Sequence, residues 1–503
     1  MTDLSLVKKR DSLSGDSQDG EGVARSRLEL LFDAGSFEEL DAQVVHRTES
    51  FGMGKKRPAG DGVITGVGRI GGRSAFAFSQ DRGVLGGSLG EAHARKICKV
   101  QDLAVRNGSP LVGICDSGGA RIQEGVDSLG GYGEIFFRNV RASGVVPQVS
   151  LVLGPSAGGA VYSPALTDFV IMSEGQSYMF LTGPKVVKTV TFEDIDTENL
   201  GGARVHAERS GVAHFAARHD AEAIAIARRI LSYLPDNCQV EPPVADCDDP
   251  PDRLCEGIDG LVPGDPRQPY DIRTIIGAVM DRDSFLEVHE RFAGNVVVGF
   301  ARLAGHPVGI VANQPAVLAG CLDINSSRKA GRFIRTCNAF RLPIISFVDV
   351  PGFLPGSDQE YGAVISHGAK LLYAYCESSV PKLSVILRKA YGGAYIVMGS
   401  KHIGGDVCLA WPSAEIAVMG GAGAVEILYR REIAAAADPK AEIARLQAEY
   451  AEQFLSPRQA AERGFVDAII SPDETRRKLS RMLGAIAHRR DLSWAKRNGN
   501  IPL

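Results

Sequence analysis

Short, nearly continuous apolar runs punctuated by glycine and proline recur along the chain, as in Leu111 to Cys115, Val149 to Leu153 and Leu383 to Leu387. Such runs lack polar alternation, as a strand buried on both faces requires. Between them lie stretches with helical spacing, Ala221 to Leu231 and Pro439 to Gln453 among them. Buried strands alternating with helices predict an α/β fold in which helices cover a largely parallel sheet. Near the start, Leu28 to Phe32 and Phe37 to Val45, broken by Gly35-Ser36, predict a short helical hairpin with Ser36 as its N-cap. Residues 1–24 are rich in Ser, Asp, Gly and Lys without apolar periodicity, which predicts a disordered tail.

Compared with itself, the chain shows one long-period match. Val146-Pro147 opens the run Val149 to Leu153 and leads to Gly158-Gly159-Ala160; Val380-Pro381 opens Leu383 to Leu387 and leads to Gly392-Gly393-Ala394. The proline-to-glycine step is 11 in both copies. Upstream, Pro110 to Asp116 before Gly118-Gly119 is matched by Pro343 to Asp349 before Pro351-Gly352. The offset is 233 at the first landmark (343 minus 110) and 234 at the second (381 minus 147). Two related α/β domains follow, residues 25–265 and 266–503, with the linker in the Pro-, Asp- and Gly-rich stretch between Cys238 and Pro269.

Composition narrows the classes. A chain of 503 residues, 44% hydrophobic, has the length for two large domains. A net charge of -4 offers no single-sign field for holding nucleic acid or an anionic membrane surface. Nine scattered cysteines without a Cys-x-x-Cys pair exclude a zinc ribbon and a disulfide framework and suit a reducing cytoplasm. Lys8, Lys9 and Arg10 are followed by no apolar core of a signal peptide, and no run of about 18 apolar residues suggests a membrane span.

Each glycine pair follows a buried strand and precedes a helix. Glycine there permits a positive φ and close backbone approach, and the first amides of a helix lack an intrahelical acceptor. Two such N–H groups form an oxyanion hole, in which each donor contributes about 2.7–4 kcal/mol to barrier lowering. Tight packing alone is the plainer explanation for one pair; two equivalent pairs suit a reaction with one oxyanion on each reactant. Gly-x-Ser-x-Gly occurs around Ser88 and Ser156, but sequence brings no acid or histidine to either. His214 and His402 fit ordinary partly buried histidines and catalysts equally, and Arg121 and Lys185 read as surface cations within reach of a phosphate in Gly-rich turns.

These residues resemble a known family over roughly residues 25–503: the carboxyltransferase (β) subunits of biotin-dependent acyl-CoA carboxylases, the propionyl-CoA/acetyl-CoA carboxylase β-chain family. The strings that carry the resemblance are Ser117 to Gly125, Gly154 to Pro164, Val311 to Pro315, Asp349 to Phe353, Arg388 to Tyr395 and Asn500 to Leu503. The resemblance implies two tandem crotonase-like ββα-superhelix domains, the first taking acyl-CoA and the second biotin. It also implies a hexamer built as a trimer of dimers, with each site formed by the first domain of one subunit and the second of its dimer partner.

Carried over by residue, it implies that Gly158 and Gly159 donate to the thioester oxygen, and Gly393 and Ala394 to the ureido oxygen of biotin. Ser117, Gly118, Gly119, Ala160, Tyr162, Gly392, Tyr395 and Ile396 then belong to the substrate-binding surface, with Ile396 beside the acyl pocket. Carboxybiotin releases carbon dioxide within the site, the α-proton is taken, and the acyl enolate attacks, with no strong protein base and no metal. Ile396 departs from the Asp of many propionyl-preferring relatives, which bears on acyl chain length; Ser366 or His367 and Ala422 replace Arg and Gln/Glu of others. The chain has neither an Ala-Met-Lys-Met biotinylation site nor an ATP-grasp region, so a separate biotin carboxylase/biotin carrier partner is expected. Alternatives are the carboxyltransferase subunit of a methylmalonyl-CoA or malonyl-CoA decarboxylase or of a transcarboxylase, a biotin-independent crotonase-type hydratase or hydrolase, and an inactive scaffold.

Overall fold

The structure, a computed structural model, describes residues 22–487, 489, 501 and 502. Most of the expected tail, residues 1–21, lies outside the described residues, as do Asn500 and Leu503. Its last residues enter a helix: Gly22, at φ 101, caps α1 (Val23–Leu31), which buries Ala24, Leu28 and Leu31. The predicted hairpin does not form. The segment after Ser36 becomes a strand, β1 (Glu38–Leu40), paired with β2 (Val63–Ile70), and the Ser36 hydroxyl accepts from the Arg69 amide instead of capping a helix. Strand pairing satisfies the backbone of this half-buried segment, and a run this short carries no period that separates the two outcomes.

The chain divides into two compact units, one of residues up to Val205 with Ala216–Arg228, the other of His206–Phe215 with Arg229 onward. Residues 229–265, assigned by sequence to the first half, group with the second.

The first sheet runs β1, β2, β3 (Arg73–Gln80), β4 (Leu111–Ser117), β5 (Gln148–Ala157), β6 (Phe169–Ser173) and β8 (Phe215–Ala217), with β7 (Tyr178–Phe180) beside β5. An antiparallel ribbon, β1-β2-β3, opens it, and β3 to β6 are parallel. Helices α2 (Glu91–Asn107) and α3 (Val126–Ala142) pack side by side.

The second sheet repeats this order strand for strand. It runs β9 (Leu286–Val288), β10 (Val296–Leu303), β11 (His306–Asn313), β12 (Ile344–Val350), β13 (Lys382–Tyr391), β14 (Val407–Ala410) and β16 (Ala468–Ile469), with β15 (Glu415–Ala417) beside β13. Its core packs Ile272, Ile275, Ile276 and Val279 of α4 (Ile272–Val279) and Leu479 and Leu483 near the C-terminal end against Val297, Ile310, Phe347, Val385 and Trp411. Each such aliphatic side chain contributes about 1.5–3 kcal/mol on burial. Helices α5 (Ile324–Ala339) and α6 (Val364–Glu377) take the places of α2 and α3.

The repeat holds at the level of register. Val63 pairs Gln80 and Val296 pairs Asn313, both residues displaced by 233. Phe76 pairs Leu111 and Gly309 pairs Ile344 at that same offset. Even the irregularities recur: β4 shifts register against β5 between Cys115 and Ser117, and β12 against β13 between Val348 and Val350.

Candidate active site

Ligands of parallel α/β sheets gather at the carboxyl ends of the strands, and both glycine pairs stand there. In the first unit, β5 ends at Ala157 and the chain enters a tight 3-10 turn, Gly158–Val161, that continues into Tyr162–Leu166. Gly158 has φ +61, the left-handed region that glycine adopts without strain. Beside it, β4 ends at Ser117, in register with Ser156, and turns through Gly118–Gly119. A side chain on Gly119 would stand 3.0 Å from the Ala157 carbonyl, so the two turns abut. The Ser117 hydroxyl ties the arrangement together: it donates to the Gly87 carbonyl at 2.7 Å and accepts from the Gly119 amide at 3.2 Å. Tyr132 of α3 packs against Gly159, and rings continue outward through Phe136, 5.7 Å from Tyr132, to Tyr162, 5.8 Å further on.

In the second unit, β13 ends at Tyr391 and α7 (Gly392–Val397) begins. Gly392 has φ +58, matching Gly158, and a side chain there would stand 3.0 Å from the Val418 carbonyl. Gly393 faces open space. Tyr391 donates its hydroxyl to Glu415, and the Tyr395 ring meets His402 edge-on at 6.1 Å.

Of the sequence-predicted site residues, Gly118, Tyr162, Gly393 and Ile396 are exposed, while Gly158, Gly159 and Gly392 are partly so. Ser117, Gly119, Ala160, Ala394 and Tyr395 are buried, and Ser117 supports its turn from beneath through its bond from the Gly119 amide. Arg121 departs from the sequence reading of a surface cation: it is 1% exposed, bonded to Asp61 and Glu124 at 2.7 Å each, and has no free donor face for a phosphate. Lys185 is exposed, as expected. Ser156 lies within β5, wholly buried, and is no nucleophile elbow. His214 is partly buried, stacked on His289 at a centroid distance of 4.2 Å.

Sequence reasoning missed two features. The turns Leu85-Gly86-Gly87 and Leu318-Ala319-Gly320, 233 apart, are left-handed throughout, non-glycine residues included, which places backbone strain beside the site. Gly87 and Gly320 press on the carbonyls of Asp116 and Asp349, where a Cβ would come within 2.2 and 2.6 Å. The offset of 233 was the signal that would have found them. The second feature is the support of those aspartates. Arg388 bonds Asp349 at 3.0 Å, with Tyr270 donating at 3.0 Å and the Lys389 amide at 3.1 Å. In the first unit the position equivalent to Arg388 is Gly154, and Arg27 of α1 reaches Asp116 instead, at 2.9 Å. Burial pushes both carboxyls up from the usual range while their arginines pull them down. Among the described residues no group of His, Cys, Asp or Glu is placed to hold a metal ion, and no helix is long and apolar enough to cross a membrane.

Comparison with known proteins defines the family. The carboxyl transferase domain family matches residues 16–501. The propionyl-CoA carboxylase beta chain of Roseobacter denitrificans is 55% identical over 491 residues, 97% of this chain and 95% of the relative. The methylmalonyl-CoA decarboxylase subunit alpha of Veillonella parvula is 53% identical over 484 residues, 96% of this chain and 94% of the relative. Among solved structures, the hexameric transcarboxylase 12S core, with methylmalonyl-coenzyme A bound, superposes with a TM-score of 0.94 at 47% identity, covering 99% of this chain and 97% of that one. The chain belongs to the carboxyltransferase family, as a biotin-dependent enzyme of the propionyl-CoA carboxylase β-chain kind.

Proposed function

We propose that the chain transfers a carboxyl group from carboxybiotin, borne by a separate biotin carboxylase/biotin carrier partner, to the α-carbon of a short-to-medium acyl-CoA. Acetyl-, propionyl- and butyryl-CoA are the substrate class, and malonyl-CoA-type thioesters the products. The observation that carries this reading is the duplication of one turn, Gly158-Gly159-Ala160 and Gly392-Gly393-Ala394, at the ends of equivalent strands with matching left-handed first glycines.

Gly158 and Gly159 direct their amides at the thioester oxygen, where negative charge develops as the α-proton leaves; Gly393 and Ala394 do the same for the ureido oxygen. Charge is stabilised by dipoles already in place, so little reorganisation opposes the step. The second turn has room for a bicyclic ureido ring: Gly393 is exposed, and nothing stands within 4 Å of its Cβ direction. Biotin, when bound, supplies the labile carboxyl group. The relative that forms a hexameric core supports a homo-hexamer here.

The chain incubated with a biotin carboxylase/carrier subunit, ATP, labelled bicarbonate and acyl-CoAs from acetyl to hexanoyl fixes label only when both subunits are present. No fixation with any thioester sinks the reading. A second reading, the carboxyltransferase of a decarboxylase or transcarboxylase, is favoured by the Veillonella parvula relative and the 12S structure. It predicts carboxyl release from, or exchange between, preformed methylmalonyl-CoA and an acceptor without ATP.

A further inference from the structure

Behind the first glycine turn stands a residue that the mechanism so far leaves unused. Tyr132 is 5% exposed, and its ring lies so close to Gly159 that a Cβ there would come within 3.1 Å of it. The second turn has no such backing, since Gly393 faces open space. The Tyr132 hydroxyl is buried beside the Ser117 hydroxyl yet forms no hydrogen bond of normal geometry. Ser156, the register partner of Ser117, also buries an unpartnered hydroxyl. Burying a hydroxyl without a partner costs stability, and a phenylalanine would fill the same space without that cost. Unsatisfied polar atoms in a native interior therefore point to a role other than packing.

We propose that Tyr132 is a positioning residue for the acyl-CoA half of the reaction, clamping the two turns that meet at the first site; this rests on the reading of Gly158-Gly159 as the thioester oxyanion site. Its ring fixes the plane of the Gly159 peptide. Its hydroxyl closes onto Ser117 Oγ when the thioester seats, and Ser117 passes that constraint through its bond from the Gly119 amide to the turn abutting Ala157. No bond is made or broken in this step, and the phenol stays protonated, as burial raises its pKa.

Two variants in the complex with the biotin-bearing partner separate the contributions. Tyr132→Phe keeps the ring: its thermal midpoint rises or holds, kcat for carboxyl transfer falls about tenfold, and KM for the acyl-CoA changes less than about twofold. Tyr132→Leu removes the ring as well, and kcat falls about a hundredfold, the cost of ångström-scale misplacement of a catalytic group. An unchanged kcat for Tyr132→Phe overturns the proposal. So does a fall in kcat matched by a lowered midpoint, which marks a residue that merely holds the fold. Wild-type complex that transfers no carboxyl group would instead defeat the functional reading itself, while the midpoint of Tyr132→Phe would still report whether the hydroxyl is buried at a cost.

Discussion

At the residue scale the four key glycines carry two different demands. Gly158 and Gly392 need a left-handed backbone, at φ +61 and +58, so any side chain there strains the turn by about 1–2 kcal/mol. Gly159 and Gly393 carry no such demand and differ only in what stands behind them. Gly159→Ala drives a methyl into the Tyr132 ring and lowers kcat by about tenfold or more, whereas Gly393→Ala, facing open space, costs several-fold less; parallel steady-state kinetics of the two variants checks the order. The glycines were legible because spacing alone places them after a buried strand. Arg121 was not: an arginine after Gly-Gly-Ala reads the same whether it meets solvent or Asp61, and its partner lies 60 positions away.

At the element scale, the two sheets solve one problem with different parts. A buried aspartate closes each central strand, but β13 supplies its own arginine, while the first unit borrows Arg27 from α1. Arg388→Met leaves Asp349 buried without its countercharge and lowers unfolding free energy by about 3–5 kcal/mol, read as a shift in urea midpoint. Arg27→Met has the same sign and also frees Asp220, bonded to Arg27 at 2.8 Å, so α1 loosens locally and its amides lose hydrogen-exchange protection first. Sequence reasoning found the strands because five-residue, nearly continuous apolar runs between Gly and Pro have one common use. It misread Phe37 to Val45, since a three-residue edge strand is defined by the partner it pairs with, residues 65–67.

At the scale of the whole molecule, both units bury neutral imidazoles. His93 in the first and His289 in the second are pushed down to about 3, chiefly by burial and then by Arg121 and Lys329 respectively, and His214 is lowered by burial and by His289. The unfolded chain protonates these groups below about pH 6.5 while the folded chain does not. Their contribution to stability is therefore complete above that pH and is lost as pH falls towards 3. Denaturant midpoints measured from pH 7 to 4 should fall steadily, and His289→Gln should flatten part of that slope.

The same scale explains what the sequence disclosed and what it hid. Duplication was visible because strand spacing survives with the register, at an offset of 233 through three strands. The grouping of residues 229–265 with the second unit was hidden, because a Pro- and Gly-rich stretch shows where regular structure stops and not which core it packs on. Arg302, for example, reaches back to the carbonyls of Ser232 and Pro243, contacts no local pattern announces.

If two equivalent turns each serve one reactant, Gly393→Pro, which deletes a single amide donor from the second turn, should spare one reactant and disable the other. Acyl-CoA affinity by calorimetry and carbon fixation with the biotin-bearing partner are measured on the same preparation. Affinity should stay within about twofold of wild type while fixation falls at least a hundredfold, the scale of losing one oxyanion donor. Fixation at the wild-type rate, or loss of acyl-CoA binding alongside it, would contradict the division of labour between the two turns.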